Sequence, residues 1–260
     1  MRLALGLEYD GAAFAGWQTQ ADGNTVQDAL EHALQSFAGA RLPTICAGRT
    51  DAGVHATYQV VHLDTEVDRP LHSWVRGVNS FLPRSVAVRW ACAVPAAFHA
   101  RYGALARRYD YWLLNDAVRR PLVEQRAGWV FRPLDESRMR SAAAHLVGSH
   151  DFSAFRAAEC QAASPVRTVQ RLDVQRRGAL LRVRIEANAF LHHMVRNIVG
   201  ALVEVGVSRQ EPAWVAQLLA SRDRRRGAPT FTAAGLYLSG VQYDASFGLP
   251  EPVDTSPQAG

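Results

Sequence analysis

The order in which strand-spaced and helix-spaced segments follow one another is the tightest constraint on how this chain can fold. Leu3 to Tyr9 sets Leu3, Leu5, Leu7 and Tyr9 against Ala4, Gly6 and Glu8, the alternation of a strand. A turn at Asp10-Gly11 follows, then an irregular loop through Phe14-Ala15-Gly16-Trp17-Gln18 and Ala21-Asp22-Gly23. There the period changes. Thr25 reads as an N-cap answered by Asp28, and Val26, Ala29, Leu30, Ala33, Leu34 and Phe37 recur at helical spacing. Further on, the pattern predicts a strand leading into Ile45 to Asp51, a strand over Tyr58 to Asp64, a helix near Leu71 to Asn79 and a strand over Val86 to Ala93. The resulting β-α-β-β-α-β order is that of a split ferredoxin-like unit.

From Arg107 a similar order recurs. A strand is expected over Tyr109 to Leu114, a helix over Glu136 to Val147, and two strands, Thr168 to Gln175 and Leu180 to Ala187, joined at Arg177-Gly178. Helices from about Leu191 to Val205 and over Ala213 to Ala220 precede a last strand over Gly235 to Tyr243. The halves share a pattern but too little residue identity to count as a sequence repeat. The expected fold class is α+β: two ferredoxin-like halves whose antiparallel sheets form one extended sheet, with an active-site cleft between them. The expected domains are an N-terminal one over 1–104 and a C-terminal one over 105–247. Residues 248–260 carry three prolines and little that could be buried, and are expected to form a flexible tail.

Composition narrows the function classes. No stretch approaches the ~18 consecutive apolar residues of a membrane span, and the alternating start is unlike the charged head and apolar run of a signal peptide. Cys46, Cys92 and Cys160 are odd in number and include no CxxC pair, which fits neither a disulfide framework nor a zinc knuckle. A reducing cytoplasm is the expected setting. The net charge is +5 and all 29 basic residues are arginine, whose planar donor forks suit phosphates and base edges. The run Arg222-Asp223-Arg224-Arg225-Arg226-Gly227 fits a solvated helix end as well as it fits a phosphate contact. His192 and His193 are adjacent on an expected helix, about 100° apart, unlike the i, i+4 pair of helical metal sites. His55 and His62 have no ligand partner in sequence, and no GxxxxGK[ST] or GxGxxG run is present. Neither a metal nor an organic cofactor is expected.

The segment from Ile45 to Val54 brings a strand into a small-residue turn with a carboxylate at its end. If strand geometry persists, Arg49 and Asp51 share a face, and the cation favours the ionised carboxylate. Gly48 and Gly53 permit close backbone approach or unusual dihedrals. Local sequence alone is better matched by a simpler reading, an Asp capping a turn amide beside an incidental arginine.

A wider match changes that balance. Gly48-Arg49-Thr50-Asp51-Ala52-Gly53-Val54-His55 resembles the signature of the TruA family of tRNA pseudouridine synthases. Further blocks match in order: Glu8-Tyr9-Asp10-Gly11, Gly16-Trp17-Gln18, Phe98-His99-Ala100-Arg101, Arg107-Arg108-Tyr109-Asp110-Tyr111, Asn188 to Gly200, and Gly235-Leu236-Tyr237-Leu238. Together they reach to about Tyr243. Ala56, where many relatives have glycine, and the tail after Gly248 are the departures.

The resemblance implies the pseudouridine synthase fold and a cofactor-free isomerisation of uridine to pseudouridine in the anticodon stem-loop of tRNA. It also implies a homodimer that binds RNA across both subunits. In this reaction the C1′–N1 bond breaks, the uracil turns over and C5 bonds to C1′, so no redox partner or group donor is needed. Asp51 is the implied catalytic residue, acting as nucleophile at C1′ or as base at the sugar, and then assisting proton loss from C5. Arg49 is a sensible neighbour for it, and the family pattern implies a salt bridge to it from Arg196. On pattern alone Arg196 sits near a helix start, where the macrodipole disfavours a cation, so a specific partner is the better reading; Gly200, one turn on, suggests another backbone or a carboxylate close by. An extruded uridine needs its lost stacking replaced. Tyr109 is the implied stacking residue, although pattern alone makes it a core tyrosine.

Arg101, Arg107, Arg108 and Arg126 are candidate phosphate contacts by block membership or local basicity, and Leu236 is a substrate-side candidate by block membership. Phe14 and Trp17 fit a wedge into RNA and a pin into the core equally. Two other functions stay open: a non-catalytic RNA-binding or chaperone module, and a same-fold synthase for another RNA.

Overall fold

In chain order, the elements of the computed structural model are β1 (Arg2–Tyr9), α1 (Val26–Ala38), β2 (Ile45–Cys46), β3 (His55–Asp64), α2 (Leu71–Asn79), β4 (Val86–Val94), β5 (Ala106–Asn115), β6 (Gly128–Val130), α3 (Glu136–Ala144), β7 (Gly148–Asp151), β8 (Val166–Arg177), β9 (Leu180–Ala187), α4 (Met194–Gly206), α5 (Ala213–Ser221) and β10 (Leu236–Gln242). The structure describes residues 1–253, so the expected tail from Asp254 onward lies outside the described residues. Within its described part, the Pro250 carbonyl accepts a hydrogen bond from the Tyr58 hydroxyl. No helix among the described residues is long and apolar enough to cross a membrane.

The chain packs as two units that do not follow the linear division at 104/105. One contains Met1–Arg107 and takes back the chain from Tyr237; the other is Arg108–Leu236. Both mix α and β as expected, but β10 runs parallel to β3 and β6 parallel to β5, so the strands are not all antiparallel.

In the first unit β1 lies between β4 and β3, antiparallel to both. Being central, it is buried on both faces, and Ala4 is as inaccessible as Leu3 and Leu5. Gly6 is required there because a Cβ would stand 2.0 Å from the Trp90 ring. Helix α1 starts where its cap predicts, with the Thr25 hydroxyl accepting from Asp28 N (3.2 Å), and stops at Gly39, whose φ of 73° lets its N–H reach Gln35 O. Its buried stripe is Val26, Leu30, Ala33 and Leu34. Phe37 packs edge-on against Trp74 of α2 (5.2 Å), in space left by Gly77.

The free edge of β3 is shared by two strands. β2 pairs with its far end, Ile45 opposite His62 and Cys46 opposite Val61. β10 pairs with its near end, Tyr237 opposite His55 and Leu238 opposite Ala56. Continuing β2 in register would bring Asp51 opposite Ala56, a place that Leu238 fills. The strand expected to reach Asp51 therefore ends at Cys46, and the side chain of Gln59 takes over the pairing, bonding both the carbonyl (2.6 Å) and the amide (3.4 Å) of Gly48.

The second unit orders its strands β5-β9-β8-β7. β8 and β9 form the expected hairpin, turning at Gly178 with φ 61°. Asp110 on β5 and Arg184 on β9 make a bidentate ion pair (2.7 and 3.0 Å). Every residue of α4 except Arg196 and Glu204 is buried. Helix α4 begins later than expected, because His193 adopts left-handed backbone (φ 59°) and caps it. His192 and His193 thus precede the helix, and the helical-spacing argument against a metal pair does not apply to them. The arginine run after α5 is a tether as much as a charged end: Arg224 donates to Asn197 Oδ1 (3.0 Å) on α4 and to Thr230 Oγ1 (3.2 Å).

His62 of β3 is buried, its Nδ1 accepting from Ala100 N (3.1 Å). Burial first, then the charge of Arg2, pushes its imidazole from 6.5 down to about 4. Unfolding thus takes up a proton in that window, so stability is lost as pH falls from about 6.5 to about 4. Melting temperatures across this range should fall less steeply for His62→Gln than for the parent chain; equal slopes would contradict this.

Candidate active site

Residues 47–54 leave the sheet between β2 and β3, and several of their backbone groups have fixed partners. Ala47 N still donates to Val60 O (2.8 Å). Beyond the Gln59 clamp on Gly48, Thr50 is pinned twice, its carbonyl by Trp17 N (2.9 Å) and its hydroxyl by Tyr9 OH (2.8 Å, buried). Gly53, with φ 76°, donates to Phe14 O (3.3 Å), and Val54 N closes the turn onto Asp51 O (3.1 Å).

Two glycines of the loop after β1 let it lie against this turn. A Cβ on Gly11 would stand 1.9 Å from Val54 O, and one on Gly16 would stand 2.8 Å from Thr50 O and 3.1 Å from the Asp51 carbonyl carbon. Gly16 also sits at φ 106°, outside the range L side chains normally adopt. Next to the turn, His55 is buried, accepts Gly11 N at Nδ1 (3.1 Å) and stacks on Tyr237 (4.6 Å).

Asp51 emerges from this frame half-buried, between buried Thr50 and exposed Ala52, while Arg49 is exposed. With the strand ending at Cys46, the shared strand face expected for Arg49 and Asp51 does not exist. Burial pushes the Cys46 thiol up to about 12 although the charges of Arg49 and Arg101 pull it down.

The other expected site residues divide between the units. Trp17 is 1% exposed and packs near Tyr9 (6.0 Å), so of its two readings the structure supports the pin into the core, not the RNA wedge. Phe14 is half-buried. Arg107, expected on phosphate, instead donates to the carbonyls of Ala47 (3.0 Å), Ala104 (3.0 Å) and Arg101; it braces the loop. Arg101 is exposed.

In the second unit Tyr109 is buried on β5, edge-on to Phe190 (5.0 Å). Arg108 beside it is half-buried, and Arg126 is exposed before β6. Arg196, in the first turn of α4, is half-buried and donates from Nε to Phe231 O (2.8 Å). Gly200 meets another backbone as its spacing suggested: a Cβ there would stand 2.6 Å from Pro229 O. Leu236 is buried at the start of β10.

A family model described as tRNA pseudouridine synthase matches residues 7–103 and 142–244. The chain belongs to the tRNA pseudouridine synthase family. Proteins named tRNA pseudouridine synthase A from Methylibium petroleiphilum and Burkholderia multivorans are each 59% identical over 96% of this chain, covering 96% and 93% of their own lengths. One of that name from Bordetella parapertussis is 58% identical, over 96% of this chain and 93% of its own. A chain in the structure of an H/ACA RNP bound to a substrate RNA aligns with 77% of this chain and 44% of its own, at 11% identity and TM-score 0.37; at that distance the likeness says nothing further.

As a family member the chain is an isomerase of the pseudouridine synthase fold. For a pseudouridine synthase the base is reattached rather than replaced, so the placement of the site's groups is what the reaction depends on. The residues that supply the rigidity, Tyr9, Gln59 and Arg107, were not singled out for it in sequence. Gln59 had a visible signal: an amide in the apolar run of β3, 0% exposed, has to find buried partners. Gly16→Ala should displace the Asp51 turn and lower kcat by about a hundredfold, the usual cost of an ångström of misplacement. Steady-state kinetics would show the loss in kcat with KM for RNA little changed; an unchanged kcat would contradict it.

Proposed function

We propose that this chain isomerises uridine to pseudouridine in the anticodon stem-loop of tRNA, with Asp51 as the catalytic carboxylate and without metal or organic cofactor. The observation that carries the reading is the setting of Asp51. It stands at the end of a turn lifted off the β3 edge and locked by Trp17 N, Tyr9 OH and Gln59, a cost in buried polar groups that a plain connector would not need. Held in this way, the carboxylate can meet C1′ or the sugar proton of an extruded uridine with little motion of its own.

In this reading Arg49 contributes positive charge beside the turn, Tyr109 stacks on the extruded base and Arg196 holds the carboxylate, roles carried by the family resemblance. Arg101 and Arg108 contact phosphate. The chain acts as a cytoplasmic homodimer.

Tritium at C5 of uridine is released when C5 becomes bonded to C1′, so release from labelled tRNA reads the reaction directly. The parent chain should release tritium in the presence of EDTA, and Asp51→Ala and Asp51→Asn should release none above background. Release that needs a metal, or that survives loss of the carboxylate, would sink the mechanism. Locating pseudouridine in the product tests the anticodon stem-loop. RNA binding by Asp51→Asn should persist and weaken as salt rises, because phosphate contacts dominate affinity.

A further inference from the structure

After β4 the chain makes a tight turn over residues 99–103. Gly103 N donates to His99 O (2.8 Å), and a Cβ on Gly103 would stand 2.9 Å from that oxygen. On this turn Tyr102 is 77% exposed, yet its ring is not left loose. It lies on the His99 imidazole with centroids 4.5 Å apart and planes 33° apart. His99 is fixed in turn, its Nδ1 accepting from both Arg101 N (3.2 Å) and Tyr102 N (3.1 Å), and its ring lies 4.8 Å from that of buried His62. The Arg101 guanidinium carbon is 5.5 Å from the Tyr102 centroid. A column of rings thus rises from the core, His62 then His99 then Tyr102, and ends in an aromatic ring presented to solvent beside a cation.

This turn is tied to the turn that carries Asp51. The Arg107 guanidinium donates to the carbonyls of Arg101 and Ala104 on one side and of Ala47 on the other. A base held on Tyr102 would therefore lie on a turn braced to the segment that leads to Asp51.

We infer that Tyr102, backed by His99 and flanked by Arg101, is a stacking platform for an unpaired base of the RNA, with Arg101 on that nucleotide's phosphate. The inference rests on the reading of this chain as an enzyme acting on RNA. A ring already immobilised by His99 loses little freedom when a base stacks on it, and base–aromatic stacking is tolerant of sequence. The charge beside the ring, that of Arg101, is positive, which suits a phosphate backbone. An aromatic beside arginine that holds an unpaired nucleotide would replace stacking lost when the target uridine leaves its own stack.

The test is tRNA binding by the intact protein and its variants at low and high salt, with melting temperatures as a control. Tyr102→Ala should weaken binding by about ten- to a hundredfold, while Tyr102→Phe, which keeps the ring, stays within about twofold of the parent. The loss in Tyr102→Ala should persist at high salt, whereas Arg101→Gln should reduce the slope of log affinity against log salt by about one. Parent-like binding by Tyr102→Ala, or an equal loss in Tyr102→Phe, overturns the platform. So does a change in oligomeric state at unchanged RNA affinity, which would make this a protein contact. If the parent binds tRNA in a Tyr102-dependent way but releases no tritium, the platform stands and the proposed reaction fails. If tritium is released and Tyr102→Ala binds normally, the platform alone fails.

Discussion

The exposed edge of β3 can pair with only one strand at each position, and the first unit is arranged around that exclusion. β2 holds the edge at Val61 and His62, and β10 holds it at His55 and Ala56. Between them the chain beyond Ala47, up to Val54, has no ladder to join, although its backbone groups still need partners. Gln59 serves Gly48, Trp17 and Tyr9 serve Thr50, and Phe14 serves Gly53. What would be the end of a strand becomes a projecting turn tied down at Gly48, Thr50 and Gly53, on either side of Asp51.

That arrangement suits an isomerisation. In the proposed reaction no group is transferred to a second substrate, so catalysis would depend on where one carboxylate stands relative to a sugar carbon. The fixed elements are therefore backbone-directed: glycines at 11 and 16 that admit close approach, and an arginine, Arg107, used as a brace rather than as an RNA contact. The same brace reaches the turn bearing Tyr102, so the aromatic and cationic surface next to the site shares its frame.

Much of this was legible before any coordinates. The Thr25 cap and its apolar stripe place α1, and the bounds of α2 and β9 follow from period alone, because these elements are set by their own side chains. What could not be read was competition between distant segments. Nothing near Asp51 announces that Leu238 takes the place beside Ala56, so the local pattern predicts too long a strand and a face for Arg49 that it does not have. Trp17 is as good a wedge as a core residue until its burial is known. The short strands β6 and β7 exist through their neighbours, and α4 starts late because His193 takes a left-handed conformation that its type does not dictate. Asp51 itself read locally as a turn residue, and the blocks that match the family, spread along the chain, were what singled it out.

The central claim is that the Asp51 turn is held as firmly as the sheet. Amide hydrogen exchange tests it at one bond, the N–H of Trp17, whose only route to exchange is to release Thr50 O. The account predicts protection comparable to that of the central strand amides of β1 and β3, since freeing Thr50 means undoing its buried partners. Exchange of the Trp17 amide at the rate of an open surface loop would contradict it.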